Sequence, residues 1–206
     1  AIAVVQKRRV PMIREAAEFA EKAHRGAVRK GSDIPYITHP LETAVITSMM
    51  SDDDELIAAA LLHDTMEDAG VSYEELKKHF GSHVADLVAE ESEDKSKTWM
   101  ERKSRTIEHL RSAGREIKIL TLADKLSNIR STARDYLLEG ENIWERFNVK
   151  EKDKHAWYYN SMVDLLKELG DYPEYQEYVR LCRTVFGGAP GGPSSGIPQS
   201  RLWHRD

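Results

Sequence analysis

The sequence predicts an all-α protein, and two observations carry that prediction. Apolar residues recur at spacings of three and four along most of the 206 residues, which is the period of an amphipathic helix. No run alternates apolar and polar residues for long enough to predict a strand. The length suits one domain with its own hydrophobic core. We therefore expect a helical bundle over residues 11–186, preceded by an N-terminal extension (1–10).

The predicted helices follow one another with short breaks. The first runs from Pro11, which suits a first turn, to Gly26, which suits a helix end. A structured loop follows, because Gly31, Pro35 and Pro40 interrupt regular structure. The remaining predicted helical segments are 41–51, 52–70, 71–81, 82–92, 93–114 with a loop at its front, 115–137, 154–170 and 172–187.

The last segment, 187–206, differs in composition from the rest. Eleven of its twenty residues are Gly, Pro or Ser, which is typical of a flexible tail. We therefore separate this tail from the bundle.

Composition excludes several classes of protein. A net charge of -5 and a pI near 5.9 do not favour binding to nucleic acid. No stretch approaches the roughly 20 apolar residues that span a bilayer, so no membrane partner is expected. The single cysteine, Cys182, excludes an internal disulfide and fits a reducing, cytoplasmic compartment. The oligomeric state stays open.

One stretch, "ALLHDTMED", directs attention to a site. An apolar run ends there in His63 and Asp64, and Glu67 and Asp68 follow within one helical turn. Burying four such groups without partners is costly, and a divalent cation accepts imidazole and carboxylate together.

Two further residues can complete a metal site. His39 ends the Pro-flanked loop "IPYITHP", and Asp124 interrupts the apolar helical stretch "LTLADKLSNIR". Two imidazoles and two carboxylates favour manganese, iron or zinc over calcium or magnesium. The alternative is that His63-Asp64 is a chance pair and that Asp124 pairs with Lys125 or Arg130. The remaining histidines are interpreted as surface or helix-cap residues: His24, His79, His83, His109, His155 and His204.

Four blocks in order resemble a known family: "RKGSDIPYITHP", "AALLHDTMEDAG", "ESEDKSKTWMERKSRTIEHL" and "LADKLSNIRS". The pattern His…His-Asp…Asp is similar to that of the HD-domain metal phosphohydrolases. The blocks together resemble the hydrolase domain of the Rel/Spo alarmone enzymes, and most of all the stand-alone Mesh-type hydrolases, over about residues 11–186.

This resemblance implies an all-α HD-domain bundle with a metal site between helices. It also implies hydrolysis of the 3′-pyrophosphate of guanosine tetra- or pentaphosphate to GDP or GTP. The implied ligands of one ion, usually Mn²⁺, are His39, His63, Asp64 and Asp124. Glu67 and Asp68 match the acidic pair that orients or deprotonates the attacking water.

The resemblance also implies contacts to the nucleotide. Arg29 and Lys30 match a basic pair that contacts guanine and a nearby phosphate, and Asn128 matches a contact to the ribose region. Lys154 and Tyr158, four apart in a looser match, are expected to close over the nucleotide, with Trp157 and Tyr159 in the core. Three more cations are candidates for the distal phosphates: Lys95, Lys97 and Arg102. Ser127 and Ser131 are smaller than the residues of some relatives.

Two alternatives remain open on the sequence. An HD phosphohydrolase acting on NADPH or a deoxynucleoside monophosphate needs the same metal ligands, since attack on phosphorus is common to all of them. A regulatory module that binds alarmone without turnover is the other. The acidic and basic pairs favour the alarmone hydrolase.

Overall fold

The computed structural model describes the backbone of residues 2–187 and the side chains of residues 11–187. Within this part of the chain the structure is helical, with one isolated bridge between Val28 and Pro35 and no strand. The prediction of an all-α fold is confirmed. The predicted tail lies outside the described residues from 188 onward.

The α-helices are α1 (Ile2–Ala23), α2 (Thr38–Met50), α3 (Asp54–Leu62), α4 (Thr65–Ala69), α5 (Tyr73–Phe80), α6 (Ser82–Glu91), α7 (Trp99–Ser112), α8 (Arg115–Glu139), α9 (Lys152–Leu165) and α10 (Pro173–Phe186). Two 3-10 helices, Gly140–Arg146 and Lys167–Leu169, flank α9.

Helices α3 and α8 form the centre of the bundle. Every residue of α3 from Leu56 to Leu62 is buried, and α3 contacts α1, α2, α6 and α8. Helix α8 is buried from Ile117 to Asp124 and contacts α2 and α10 along its length. A helix that is apolar on all sides belongs in the interior of a protein. The polar residues at the end of α3 and in the middle of α8 are therefore carried into the core.

Two helix boundaries differ from the prediction. Helix α1 begins at Ile2, so Pro11 lies inside it rather than in its first turn, at the cost of one backbone hydrogen bond. The helix predicted over 52–70 is two helices, α3 and α4, with a break at His63 and Asp64. Asp64 has φ -92° and ψ -3°, and the Thr65 hydroxyl donates to the Leu62 carbonyl at 2.6 Å. That side-chain bond occupies a carbonyl left open at the end of α3.

Residues with capping chemistry precede three of the described helices, among them Ser72 before α5, whose side chain accepts from the Glu75 N–H. The Asp53 side chain accepts from the backbone N–H of Glu55, and Thr98 with Glu101 forms a reciprocal capping box at the start of α7. The loop predicted ahead of α7 is therefore present. None of the described helices has the length and apolar character needed to span a membrane.

Candidate active site

Four side chains from three parts of the bundle converge at its centre. His39 comes from the first turn of α2, His63 and Asp64 from the break between α3 and α4, and Asp124 from α8. His39 Nε2 lies 3.2 Å from His63 Nε2, 3.2 Å from Asp124 Oδ1 and 3.5 Å from Asp64 Oδ2. His63 Nε2 lies 3.0 Å from Asp64 Oδ2 and 3.7 Å from Asp124 Oδ1. The structure thus brings together the four residues that the sequence singled out as ligands.

These distances fit a shared divalent cation. Nitrogen and oxygen ligands lie about 2.0–2.2 Å from such an ion, which puts neighbouring ligands roughly 3.0–3.6 Å apart. His39, His63 and Asp124 are buried and offer ligand atoms within 4.8 Å of one another. The Nδ1 atom of His63 lies 2.8 Å from the Ala60 carbonyl, which only accepts hydrogen bonds. That carbonyl holds a proton on Nδ1, so Nε2 is the nitrogen that faces the centre.

The electrostatics of the centre reflect the crowding of these groups. Burial lowers the pKa of His39. Burial acts in the same direction on His63, but the carboxylates of Asp64 and Asp124 outweigh it and raise that pKa well above its usual value. Burial would raise the pKa of Asp124, yet the ammonium of Lys125, 2.5 Å away, and the two imidazoles lower it. The carboxylates therefore stay ionised, as ligands of a cation must be.

The acidic pair lies on α4, one turn beyond Asp64. Glu67 Oε2 accepts from the backbone N–H of Glu93 at 3.1 Å, and Glu67 Oε1 lies 3.9 Å from Lys95 Nζ. Burial is the largest cause of a raised pKa at Glu67, and the neighbouring carboxylates add to it. Asp68 accepts from Lys95 through Oδ1. One carboxyl group is thus tuned toward proton binding, and its neighbour pairs with a cation.

Tyr36 is a site residue that the sequence reasoning missed. Its hydroxyl donates to Asp64 Oδ2 at 2.6 Å and lies 3.2 Å from Asp68 Oδ2. Burial and the Asp64 carboxylate raise the pKa of Tyr36 far above its ordinary value, so the group stays a donor. It therefore links a predicted metal ligand to the acidic pair.

A pocket of about 480 Å³ opens beside His39 and contains three of the predicted nucleotide contacts, Arg29, Lys30 and Asn128. Arg29 donates to Asn128 Oδ1 at 3.1 Å, and Asn128 Nδ2 donates to Asp124 Oδ1 at 2.6 Å. Lys30 donates to Asn148 at 3.0 Å and lies over the Phe147 ring. Asn128 thus connects the wall of the pocket to the metal site. Further lining residues are Tyr36, Ser127, Ser131, Arg146 and Tyr159.

Neither of the predicted nucleotide contacts on α9 lines the pocket. Lys154 is on the surface and donates to Glu151 at 2.8 Å, so the structure does not bring it to the pocket. Tyr158 is buried, whereas Tyr159, expected in the core, lines the pocket. Trp157, also expected in the core, is 39% exposed. Tyr158 lies on the face of α9 that meets α7 and the core. Tyr159 is the next residue along the helix, so its side chain points in a different direction, toward the pocket.

Two partly buried lysines, Lys103 and Lys125, lie next to each other, and Lys125 contacts the predicted metal ligand Asp124. The ammonium groups of Lys103 and Lys125 lie 4.8 and 5.7 Å from the centre of the Tyr158 ring. Lys103 donates to Glu93 Oε1 at 2.8 Å, and Arg102 donates to Glu93 Oε2 at 2.8 Å. Of the three candidates for distal phosphates, Arg102 is thus held by Glu93, Lys95 contacts the acidic pair and Lys97 is exposed. Lys103 was not singled out from the sequence.

A second cluster of possible metal ligands lies at helix N-termini, and its carboxylates are stabilised there without a metal. Asp53, His83 and Glu116 lie within 4.8 Å of one another. Asp53 caps α3, while His83 and Glu116, 3.2 Å apart, occupy the first turns of α6 and α8. Helix N-termini carry positive partial charge, which stabilises carboxylates and opposes a cation.

Two histidines interpreted as surface or cap residues are buried instead. His24 lies with its ring centre 4.9 Å from that of Tyr36, and His155 stacks on Trp144. Their neutral rings pack as aromatic side chains, and burial lowers the pKa of both.

Comparison with known proteins places the chain in a family. The sequence model of the HD domain family matches residues 16–151. The chain is 42% identical over 126 residues to guanosine-3′,5′-bis(diphosphate) 3′-pyrophosphohydrolase MESH1 of Xenopus tropicalis, covering 60% of this chain and 70% of that protein. It is 38% identical over 156 residues to MESH1 of Drosophila melanogaster, covering 74% and 83% of the two chains.

Solved structures agree with the sequence comparison. A metazoan ortholog of SpoT, described as hydrolysing ppGpp, superposes with a TM-score of 0.70 at 29% identity, covering 84% of this chain and 94% of that one. The crystal structure of lmo0812 from Listeria monocytogenes gives a TM-score of 0.67 at 35% identity, covering 72% and 98%. This chain belongs to the HD domain family, so the predicted resemblance is confirmed, and the family implies a divalent metal.

Proposed function

We propose that this protein is a metal-dependent hydrolase that removes pyrophosphate from the 3′ position of guanosine tetra- or pentaphosphate, leaving GDP or GTP. The observation that carries the proposal is the continuity between Arg29, Asn128 and Asp124. Their hydrogen bonds join a nucleotide-sized pocket directly to the metal site. Relatives of 42% and 38% identity bear the name of this activity.

The metal ligands are proposed to be His39, His63, Asp64 and Asp124, and the ion to be Mn²⁺. A mixed set of two imidazoles and two carboxylates suits manganese, iron or zinc, and the family resemblance favours manganese. When bound, such an ion polarises a phosphoryl oxygen and lowers the pKa of water.

Glu67 is proposed to accept the proton of the attacking water. Its carboxylate is oriented by the Glu93 backbone N–H, and burial raises its pKa above the ordinary value, which makes it a stronger proton acceptor. Asp68 orients the same water and is positioned by Tyr36 and Lys95. A general base needs this combination of fixed geometry and a matched pKa.

Cationic side chains are proposed to bind the two diphosphates of the substrate. Phosphoryl transfer depends chiefly on positioning and on stabilising charge, so positive groups are needed around the reacting phosphorus. Arg29 and Lys30 face the pocket, where we assign them to the base and a nearby phosphate. Lys95 contacts Asp68 and Lys103 contacts Glu93, and we assign both to the leaving pyrophosphate.

Product analysis tests the proposal. Protein loaded with Mn²⁺ is incubated separately with guanosine tetraphosphate, NADPH and deoxynucleoside monophosphates, and the products are separated by ion-exchange chromatography. We expect GDP and pyrophosphate from the first substrate. Release of orthophosphate from NADPH or a monophosphate, with guanosine tetraphosphate left intact, would assign a different substrate to the same metal site. Binding of guanosine tetraphosphate without turnover would indicate a regulatory module.

A further inference from the structure

A chain of hydrogen bonds runs from α10 to the His39 ring. Arg130 on α8 donates through Nε and Nη2 to both carboxylate oxygens of Glu177 on α10, each at 2.7 Å. Its Nη1 donates to Glu42 Oε1 at 3.0 Å. Ser127 Oγ lies 2.8 Å from Glu42 Oε2 and 2.8 Å from His39 Nδ1. Three helices therefore contribute to the surroundings of one proposed metal ligand.

The direction of each hydrogen bond in this chain is fixed by chemistry. A guanidinium only donates, and an ionised carboxylate only accepts. Glu42 is paired with Arg130, so it accepts from the Ser127 hydroxyl. That hydroxyl has a single proton, which it donates in the hydrogen bond to Glu42. Toward His39 the same oxygen can therefore only accept a hydrogen bond. The His39 proton is then on Nδ1, and Nε2 presents a lone pair to the centre.

We propose that Glu42 and Ser127, with Arg130 holding Glu42, are positioning residues that fix His39 as an Nε2 ligand. This proposal rests on the metal site of the proposed function. The burial of Ser127 supports it, because the side chain itself is shielded from solvent. The Ala60 carbonyl holds a proton on Nδ1 of His63 in the same way. Different partners thus turn Nε2 of both imidazoles toward the centre.

The fixed direction makes an unusual prediction for Glu42. With Glu42→Leu, the Ser127 hydroxyl loses its acceptor and becomes free to donate to His39 Nδ1. The ring then favours the wrong tautomer, with a proton on Nε2. With Ser127→Ala, the orienting partner is absent. In the double variant no hydroxyl remains to donate to Nδ1, so the Glu42 substitution loses its effect.

Metal affinity of the full chain tests the relay without using enzymatic activity. Metal-stripped protein is titrated with Mn²⁺ while the EPR signal of the free ion is recorded. Changes around a metal ligand typically weaken affinity on the order of 10–100-fold, which we expect for Ser127→Ala and for Glu42→Leu. The double variant should be within about threefold of Ser127→Ala, since the two changes act through one ring. Ser48→Ala, which removes an exposed hydroxyl from the same helix α2, is the control.

A second readout reports the His39 proton itself. Nitrogen-15 NMR of the metal-free protein distinguishes a protonated ring nitrogen from one with a lone pair, with His39→Gln assigning the signal. We expect a larger share of Nδ1–H in the wild type than in Glu42→Leu, because the Asp124 carboxylate, 3.2 Å from Nε2, competes for the proton in both proteins. This comparison remains testable even if Ser127→Ala fails to fold. A share of Nδ1–H that Glu42→Leu leaves unchanged, or effects on Mn²⁺ affinity that multiply in the double variant, would overturn the relay. A wild type that shows Nδ1–H and binds Mn²⁺ but leaves guanosine tetraphosphate intact would overturn only the proposed function.

Discussion

Removing the Tyr36 hydroxyl tests whether the metal site and the acidic pair act as one unit. Tyr36→Phe keeps the ring, which packs against His24 and His39, and deletes only the donor to Asp64 and Asp68. The raised pKa of Tyr36 means that this donor is present throughout the working pH range.

The size of the effect follows from the contacts. The hydroxyl has one proton, and its 2.6 Å bond to Asp64 is the stronger of the two contacts. A hydrogen bond to a charged group contributes about 1.5–3 kcal/mol, and each 1.4 kcal/mol corresponds to about tenfold in rate. We therefore expect kcat/KM to fall roughly 10- to 150-fold. The loss should be in kcat, because the hydroxyl contacts the proposed metal ligand Asp64 and the water-orienting Asp68 rather than the Arg29–Asn128 wall.

Steady-state release of pyrophosphate from guanosine tetraphosphate measures both constants, and Mn²⁺ titration measures metal affinity in parallel. Tyr175→Phe is the matched control, since it deletes a buried hydroxyl that donates to the Val163 carbonyl at 2.7 Å, outside the site. A Tyr36→Phe variant with the kcat of Tyr175→Phe would refute the coupling of Asp64 to Asp68. An increase in KM alone would instead make Tyr36 a nucleotide contact.

Three further predictions follow from the same geometry. Asp64→Ala should lose metal and activity together, as measured by metal content and pyrophosphate release; full metal occupancy would remove Asp64 from the ligand set. Glu67→Gln keeps an acceptor for the Glu93 N–H but cannot take a proton, so turnover should fall on the order of a hundredfold or more with metal content unchanged; wild-type turnover would rule out the assigned role. Burial raises the pKa of Glu91 from 4.5 to about 7, above its value in the unfolded chain. The folded metal-free protein therefore loses stability as pH rises from 4.5 to 7, by up to about 3 kcal/mol. Glu91→Gln, whose carbonyl still accepts from Thr121, should match the wild-type Tm at pH 4 and exceed it at pH 8; an equal Tm at both values would contradict this.

The metal ligands were predictable because their residue types stand out from their surroundings. His63 and Asp64 end an apolar run, and Asp124 interrupts a buried helix, so each is conspicuous without a structure. Their mutual distances were not predictable, since they depend on how α2, α3 and α8 pack. The break between α3 and α4 escaped detection because every residue from Asp54 to Ala69 is compatible with a helix, and the side-chain bond of Thr65 to Leu62 decides it.

Tyr36 and the α9 residues show where sequence patterns fail. A tyrosine in the loop "IPYITHP" has no spacing that indicates a role, because its partners Asp64 and Asp68 are about thirty residues away in the chain. Lys154 and Tyr158 share a helical face as predicted, but that spacing does not say which neighbour the face meets. Tertiary packing turned Tyr159 toward the pocket and left Lys154 at the surface.

Titration of metal-stripped protein with Mn²⁺ in the presence of guanosine tetraphosphate tests the central claim most directly. Bound metal and released pyrophosphate are measured in the same samples, with His63→Ala beside the wild type. One site built from His39, His63, Asp64 and Asp124 predicts that pyrophosphate release rises in proportion to bound Mn²⁺ and saturates at one ion per chain, while the variant stays inactive. Pyrophosphate release from the stripped protein, or a fully active His63→Ala variant, would contradict it.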